Sequence, residues 1–162
     1  MLLKQAWWPM RMQANDLHRR ALLGIHLALP SLPRERMANV LIVDDDEADL
    51  ELMRTLLSNE GHDLHIAKNG EEALKIYLRH PIDVVVTDIQ MPRGDGIELI
   101  TALKGIDPDS SIVAVSGQKP HKLQMAQLVG ARTILTKPLT REALADAVQE
   151  ARDPPASDPL AM

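Results

Sequence analysis

Residues 40–46 read Val40-Leu41-Ile42-Val43-Asp44-Asp45-Asp46, four consecutive aliphatic residues that stop at three acids. An unbroken apolar run of this length suits a strand covered on both faces, whereas a strand with one face in water alternates. Two other runs read the same way. Val84–Val86 leads to Asp88, and Ile112–Val115 leads to Ser116. Leu64-His65-Ile66 alternates, and Ile134-Leu135 is short and soon followed by Lys137, so these two read as edge strands. Between the strands, apolar residues recur three or four apart: Leu50, Met53, Leu56 and Leu57; Ala73, Leu74, Tyr77 and Leu78; Ile97, Ile100 and Leu103; Leu123, Ala126 and Val129; Ala143, Leu144, Ala147 and Val148. Each set makes one stripe along a helix. Thr140 stands where the last helix needs a cap.

Strand–helix alternation predicts an α/β fold with a parallel sheet and right-handed crossovers. With the second and fifth strands at the edges, five strands and five helices fit the order 2-1-3-4-5. That is the flavodoxin-like doubly wound arrangement, in which ligands sit at the carboxyl ends of the strands. The polar residues converge on that rim. Asp44, Asp45 and Asp46 follow the first strand, Asp88 ends the third, Ser116 ends the fourth and Lys137 follows the fifth.

Composition narrows the chemistry. The 162 residues are 45% apolar, which fits a folded domain. Aromatic residues are limited to Trp7, Trp8 and Tyr77, so the core is expected to be aliphatic. With no cysteine, thiolate catalysis, disulfides and cysteine-ligated metal centres are excluded. Residues 1–36 hold six Lys/Arg against two Asp/Glu, so a chain of net charge −5 carries −9 in the remainder. So acidic a body argues against a direct nucleic-acid partner, which requires clustered Lys and Arg. No stretch is long enough to span a bilayer. Three regions are expected: a leader over 1–36 ending in Pro30-Ser31-Leu32-Pro33, a domain over 37–151, and a Pro-rich tail over 152–162. Met37 directly precedes the first strand, so the leader reads as disordered or as a mis-assigned start. The alternative is a targeting segment, because Arg19-Arg20 precedes an apolar stretch. His26 interrupts that stretch, and no small-x-small cleavage site follows.

Three clustered carboxylates repel one another and call for a counter-charge. A hard divalent cation with oxygen ligands supplies it, and Mg²⁺ commonly binds one or two carboxylates with waters and phosphate. A carboxylate beside such a cation and a lysine can attack a phosphoryl group, because both cations neutralise its charge.

The fragments LIVDDDE (41–47), VVVTDIQMPRGDG (84–96), VAVSG (113–117) and TKP (136–138), in this order, resemble response-regulator receiver domains over roughly residues 38–150. The resemblance implies the 2-1-3-4-5 topology and assigns roles by position. Asp88 matches the phosphoacceptor, and Asp45 a direct Mg²⁺ ligand. Asp44 matches an acid acting through water, and the Gln90 backbone carbonyl a third protein ligand. Ser116 matches the hydroxyl that moves toward the phosphoryl group, and Lys137 the lysine that pairs with acceptor and phosphate. The Lys137–Pro138 bond matches the family's cis peptide. One position departs: Ile134 stands where the family usually has an aromatic ring that swings inward, so ring gating is unavailable there.

The implied function is a stand-alone, cytoplasmic switch of a two-component system or phosphorelay. A sensor histidine kinase or histidine phosphotransfer protein would donate phosphate to Asp88, and output would pass to a downstream protein. It would not be an enzyme acting on external substrates, although it would promote its own phosphorylation and slow dephosphorylation. Two rivals remain. A Mg²⁺-dependent aspartyl-nucleophile phosphatase usually has a second acid two residues after the nucleophile, where this chain has Gln90. A phosphorylation-independent receiver-like module has no need of the complete acidic and lysine set. In isolation, Asp44–Asp46 would read as a helix-capping acidic turn and Lys137 as a surface lysine; their joint spacing favours the site. Asp46 reads as flanking, Asp95 as a loop or cap residue, and Gly94 and Gly96 as turn residues. His62, His65, His80 and His121 show no ligand spacing, so they read as surface or structural residues.

Overall fold

The computed structural model describes residues 37–92, 96–117 and 120–153. The expected leader over 1–36, the tail beyond Asp153, and Gly94 and Asp95 lie outside the described residues. Five strands alternate with five helices: β1 (Asn39–Val43), α1 (Glu47–Ser58), β2 (Asp63–Ala67), α2 (Gly70–Arg79), β3 (Val84–Asp88), α3 (Gly96–Ile106), β4 (Ile112–Ser116), α4 (Pro120–Leu128), β5 (Thr133–Thr136) and α5 (Arg141–Arg152). The sheet order is β2-β1-β3-β4-β5 and every pairing is parallel, as the sequence predicts. Helix α5 includes Arg152, the first residue of the expected tail.

The apolar runs fill both faces of the sheet. On one face Val40, Ile42, Val84, Val86, Val113 and Val115 meet Leu50, Met53 and Leu57 of α1 and Leu144, Ala147, Val148 and Ala151 of α5. On the other, Leu41, Val43, Val85, Ile112 and Ala114 meet Ala73 of α2, Leu99, Ile100 and Leu103 of α3 and Ala126 of α4. The three central strands are therefore covered twice, which is why their sequences do not alternate. Among the described residues, no helix is long and apolar enough to cross a membrane.

Two stripe residues are corrected. Leu78 is 67% exposed. It lies five residues after Ala73, about 140° round the helix at roughly 100° per residue, and Ile76 packs in its place. Ala143 is also exposed, because the stripe of α5 starts at Leu144 and repeats at Ala147, Val148 and Ala151.

Caps fix where the helices begin. Asp46 accepts hydrogen bonds from the Ala48 and Asp49 amides at 2.8 and 3.1 Å, which starts α1 with only three residues between it and β1. Asn69 accepts from the Glu72 amide at 2.9 Å, and Thr140 accepts from the Ala143 amide at 3.2 Å. Each satisfies an amide that the first helical turn leaves without a partner.

Gly96 is more than a turn residue. A Cβ built there would lie 2.2 Å from the Asp88 carbonyl oxygen and 2.6 Å from the Ile89 Cα. The start of α3 thus presses against the backbone that carries Asp88. Gly96→Ala is expected to cost about 2 kcal/mol, in the range for overpacked sites, and urea denaturation measures it; an unchanged midpoint contradicts the close packing.

Candidate functional site

The register of the sheet aligns the carboxyl ends of its central strands. Val43 pairs with Thr87, Asp88 with Val115, and Ser116 with Thr136. The residues just beyond those points therefore share one rim. Backbone bonds fix the two flanking segments: the Asp44 amide donates to the Ala67 carbonyl at 3.2 Å, and the Lys137 amide donates to the Ser116 carbonyl at 2.8 Å.

Carboxylate oxygens of Asp44, Asp45 and Asp88 lie within 4.8 Å of one another. Asp44 is 1% and Asp88 6% exposed, whereas Asp45 faces solvent. Two unit charges at that spacing repel by about 3 kcal/mol at an effective dielectric near 20. One cation answers them. The Lys137 ammonium donates to Asp44 Oδ2 at 3.1 Å and stands 3.7 Å from Asp88 Oδ2. Burial alone would pull the Lys137 pKa down, but its hydrogen bonds to Asp49 and Asp44 outweigh this and hold it above the usual lysine value. The Asp44 carboxyl responds the other way. Burial raises its pKa, and the bonds from the Asp46 amide and Lys137 only partly offset that. The two shifts are compatible, because Lys137 divides its one charge among several acids while Asp44 is nearly fully enclosed.

The remaining expected residues join the same cluster. The Gln90 amide donates to Asp88 Oδ1 at 3.1 Å, and the Gln90 side-chain Nε2 donates to the Ser116 Oγ at 3.1 Å. Ser116 is fully buried. The Lys137–Pro138 bond is cis. Ile134 is half-buried on β5, opposite Ala114. The structure thus brings together Asp44, Asp45, Asp88, Gln90, Ser116 and Lys137. Asp46 stays outside the cluster as the cap of α1.

The sequence reading missed Asp49, whose Oδ2 accepts from Lys137 at 2.5 Å. Its signal was positional. Once Asp46 caps the helix, Asp49 falls in the first turn of α1. Among the described residues, no histidine belongs to the acidic cluster. His62 Nδ1 accepts from the Ala38 amide at 3.2 Å, and the His65 and His80 rings stack with centroids 4.7 Å apart.

The donor set is all oxygen and strongly anionic, which fits a hard divalent cation and not a soft one.

Comparison with known proteins identifies the family of the domain. Residues 40–149 match the family model of the response regulator receiver domain. Chemotaxis protein CheY of Halobacterium salinarum is 35% identical over 113 residues, covering 68% of this chain and 93% of that protein. Transcriptional regulatory protein GlrR of Escherichia coli K12 is 31% identical over 125 residues, covering 75% of this chain but only 28% of its own length. A receiver-domain structure from Clostridium thermocellum superposes with a TM-score of 0.67 at 30% identity, covering 70% of this chain and 93% of that one. Chemotaxis protein CheY4 of Vibrio cholerae superposes at 0.66 with 29% identity, covering 71% and 98%.

The chain belongs to the response regulator receiver domain family. It is thereby a phosphoacceptor module of two-component signalling, a class of switches.

The raised Asp44 pKa gives a signed expectation. A carboxyl whose pKa is higher in the folded state adds stability below its unfolded value, and that contribution is lost as pH rises through the folded value. At neutral pH the charged Asp44 therefore weighs against the fold. Asp44→Asn is expected to raise stability without divalent cation at pH 7. The gain should shrink as pH falls through the carboxylate range. Denaturation at several pH values checks this, and a destabilised variant at pH 7 contradicts it.

Proposed function

We propose that Asp88 is the residue that receives the phosphoryl group, from a phosphohistidine on a sensor kinase or phosphotransfer protein. The observation that carries this reading is the convergence of the Asp44, Asp45 and Asp88 oxygens within 4.8 Å, with Lys137 3.7 Å from Asp88. Asp45, Asp88 and the Gln90 backbone carbonyl are the proposed direct ligands of Mg²⁺, with Asp44 acting through water. When bound, that ion neutralises charge on the phosphoryl oxygens.

The chain's own residues do the rest. An Asp88 carboxylate oxygen attacks phosphorus as the phosphorus–nitrogen bond breaks, and the electron pair leaves on the imidazole. The Gln90 amide on Asp88 Oδ1 orients the nucleophile, leaving Oδ2 on the Lys137 side. Lys137 pairs with the transferred group. The Ser116 hydroxyl, now accepting from Gln90, turns to donate to a phosphoryl oxygen.

Gln90 is an amide and cannot serve as a leaving-group acid. Its position therefore favours a slowly reversing switch over a phosphatase acting on external substrates. With Ile134 on β5, the altered state must reach the surface through the segment after Ser116 and the helix that follows, without a swinging ring. The proposed output surface is the α4–β5–α5 face, where Met125 is 50% and Leu128 86% exposed. The proposed setting is cytoplasmic, with the functional domain over 37–151 between a leader and a tail.

Incubation with acetyl phosphate and Mg²⁺ should give stoichiometric, acid-stable and base-labile phosphate. Asp88→Asn or chelation should abolish it with the fold intact. Labelling that persists in Asp88→Asn refutes the assignment. Residues 37–162 alone should label like the whole chain; loss of labelling would show that the leader is required.

A further inference from the structure

Lys137 has more carboxylate partners than its role at Asp88 requires. Its ammonium faces Asp49 at 2.5 Å, Asp44 at 3.1 Å and Asp88 at 3.7 Å, so its shortest contact is not to the proposed acceptor. Asp49 is not among the three acids whose oxygens converge. It belongs to a different element, the first turn of α1, where its own amide is held by the Asp46 cap at 3.1 Å. The helix therefore fixes where the Asp49 carboxylate can stand. Its side chain is 35% exposed and lines a cleft of about 390 Å³ together with Leu52, Gly117, Lys137, Pro138 and Leu139.

A lysine ammonium has three donors and one charge. While it serves Asp49 and Asp44, it must turn to meet a phosphoryl oxygen on Asp88. A phosphoryl group would bring up to two negative charges to that side, more than the single charge of Asp49. Release from Asp49 costs little, because water can take the lysine's place on a carboxylate that is one-third exposed.

We propose that Asp49 is a positioning residue that competes with Asp88 for Lys137 in the unphosphorylated protein, drawing the ammonium toward α1 and biasing the site against premature phosphorylation. This rests on the reading of Asp88 as acceptor. A ligand shifts a two-state balance only by its difference in affinity for the two states. Removing the Asp49 charge lowers the opposing term.

The test compares wild type with Asp49→Asn, Asp49→Glu and Glu47→Gln in the full chain, each checked for native circular dichroism. Glu47→Gln removes an equal charge from the same helical turn, but Glu47 pairs with Lys68 and not with Lys137. Two quantities are measured: the rate of labelling by acetyl phosphate with Mg²⁺, and the ¹H–¹⁵N signal of the Lys137 ammonium without divalent cation. Asp49→Asn is expected to label about five-fold faster, the factor for one partly exposed ion pair, and to shift or broaden the ammonium signal. Asp49→Glu should restore both toward wild type. Glu47→Gln should change the rate by less than about two-fold, since exposed charges are largely screened.

If wild type labels while Asp49→Asn labels no faster, the proposal fails and the acceptor reading stands. An ammonium signal that is identical in Asp49→Asn also overturns it. If wild type never labels, the acceptor reading fails first and takes the assigned purpose of Asp49 with it.

Discussion

The single positive charge of Lys137 is what lets Asp44, Asp49 and Asp88 stand together at the carboxyl rim of one sheet. The rim gathers Asp44 and Asp88 because β1, β3 and β4 run parallel and end in register, and the first turn of α1 brings Asp49 to the same lysine. Asp44 is nearly excluded from water, and that burial raises the pKa of its carboxyl. Structure elsewhere supplies the restraint. The strands are packed on both faces, Gly96 lets α3 press against the Asp88 backbone, and the Lys137 amide is tied to the Ser116 carbonyl. A rigid frame thus maintains an electrostatic arrangement that the charges alone would not choose, as is common where function and stability compete.

The stretch from Asp44 to Asp49 shows how differently neighbouring acids can be used. Asp44 is buried and bonded to Lys137, while Asp45 faces solvent beside it. Asp46 caps the helix, Glu47 reaches Lys68 beyond β2, and Asp49 returns to Lys137. Composition alone would call this a solvated acidic turn. What separates the roles is the change from extended backbone to helix at Asp46, which sends successive side chains in different directions.

That change of geometry also explains what the sequence made legible. Strand order, parallel pairing and the joining of Asp44, Asp45, Asp88, Ser116 and Lys137 could be read, because unbroken aliphatic runs mark buried strands and each run ends in a polar residue. Leu78 and Ala143 were misplaced because a stripe read by eye tolerates an error of one residue, whereas a helix turning about 100° per residue does not. Asp49 was missed for a related reason: its partner lies 88 positions away. Gly96 gave no sign of its closeness to Asp88, since a glycine needed for space reads like one needed for a turn.

The site has a consequence for biosynthesis. Asp44 and Lys137 are separated by 93 positions, and the lysine lies beyond the last strand. Contacts so distant along the chain form only after the intervening segments have been ordered. A chain still emerging from the ribosome carries the carboxylates of β1 and β3 long before it carries their counter-charge. The charge pairing of Asp44 with Lys137 is therefore complete only once synthesis has passed β5 and that strand has docked.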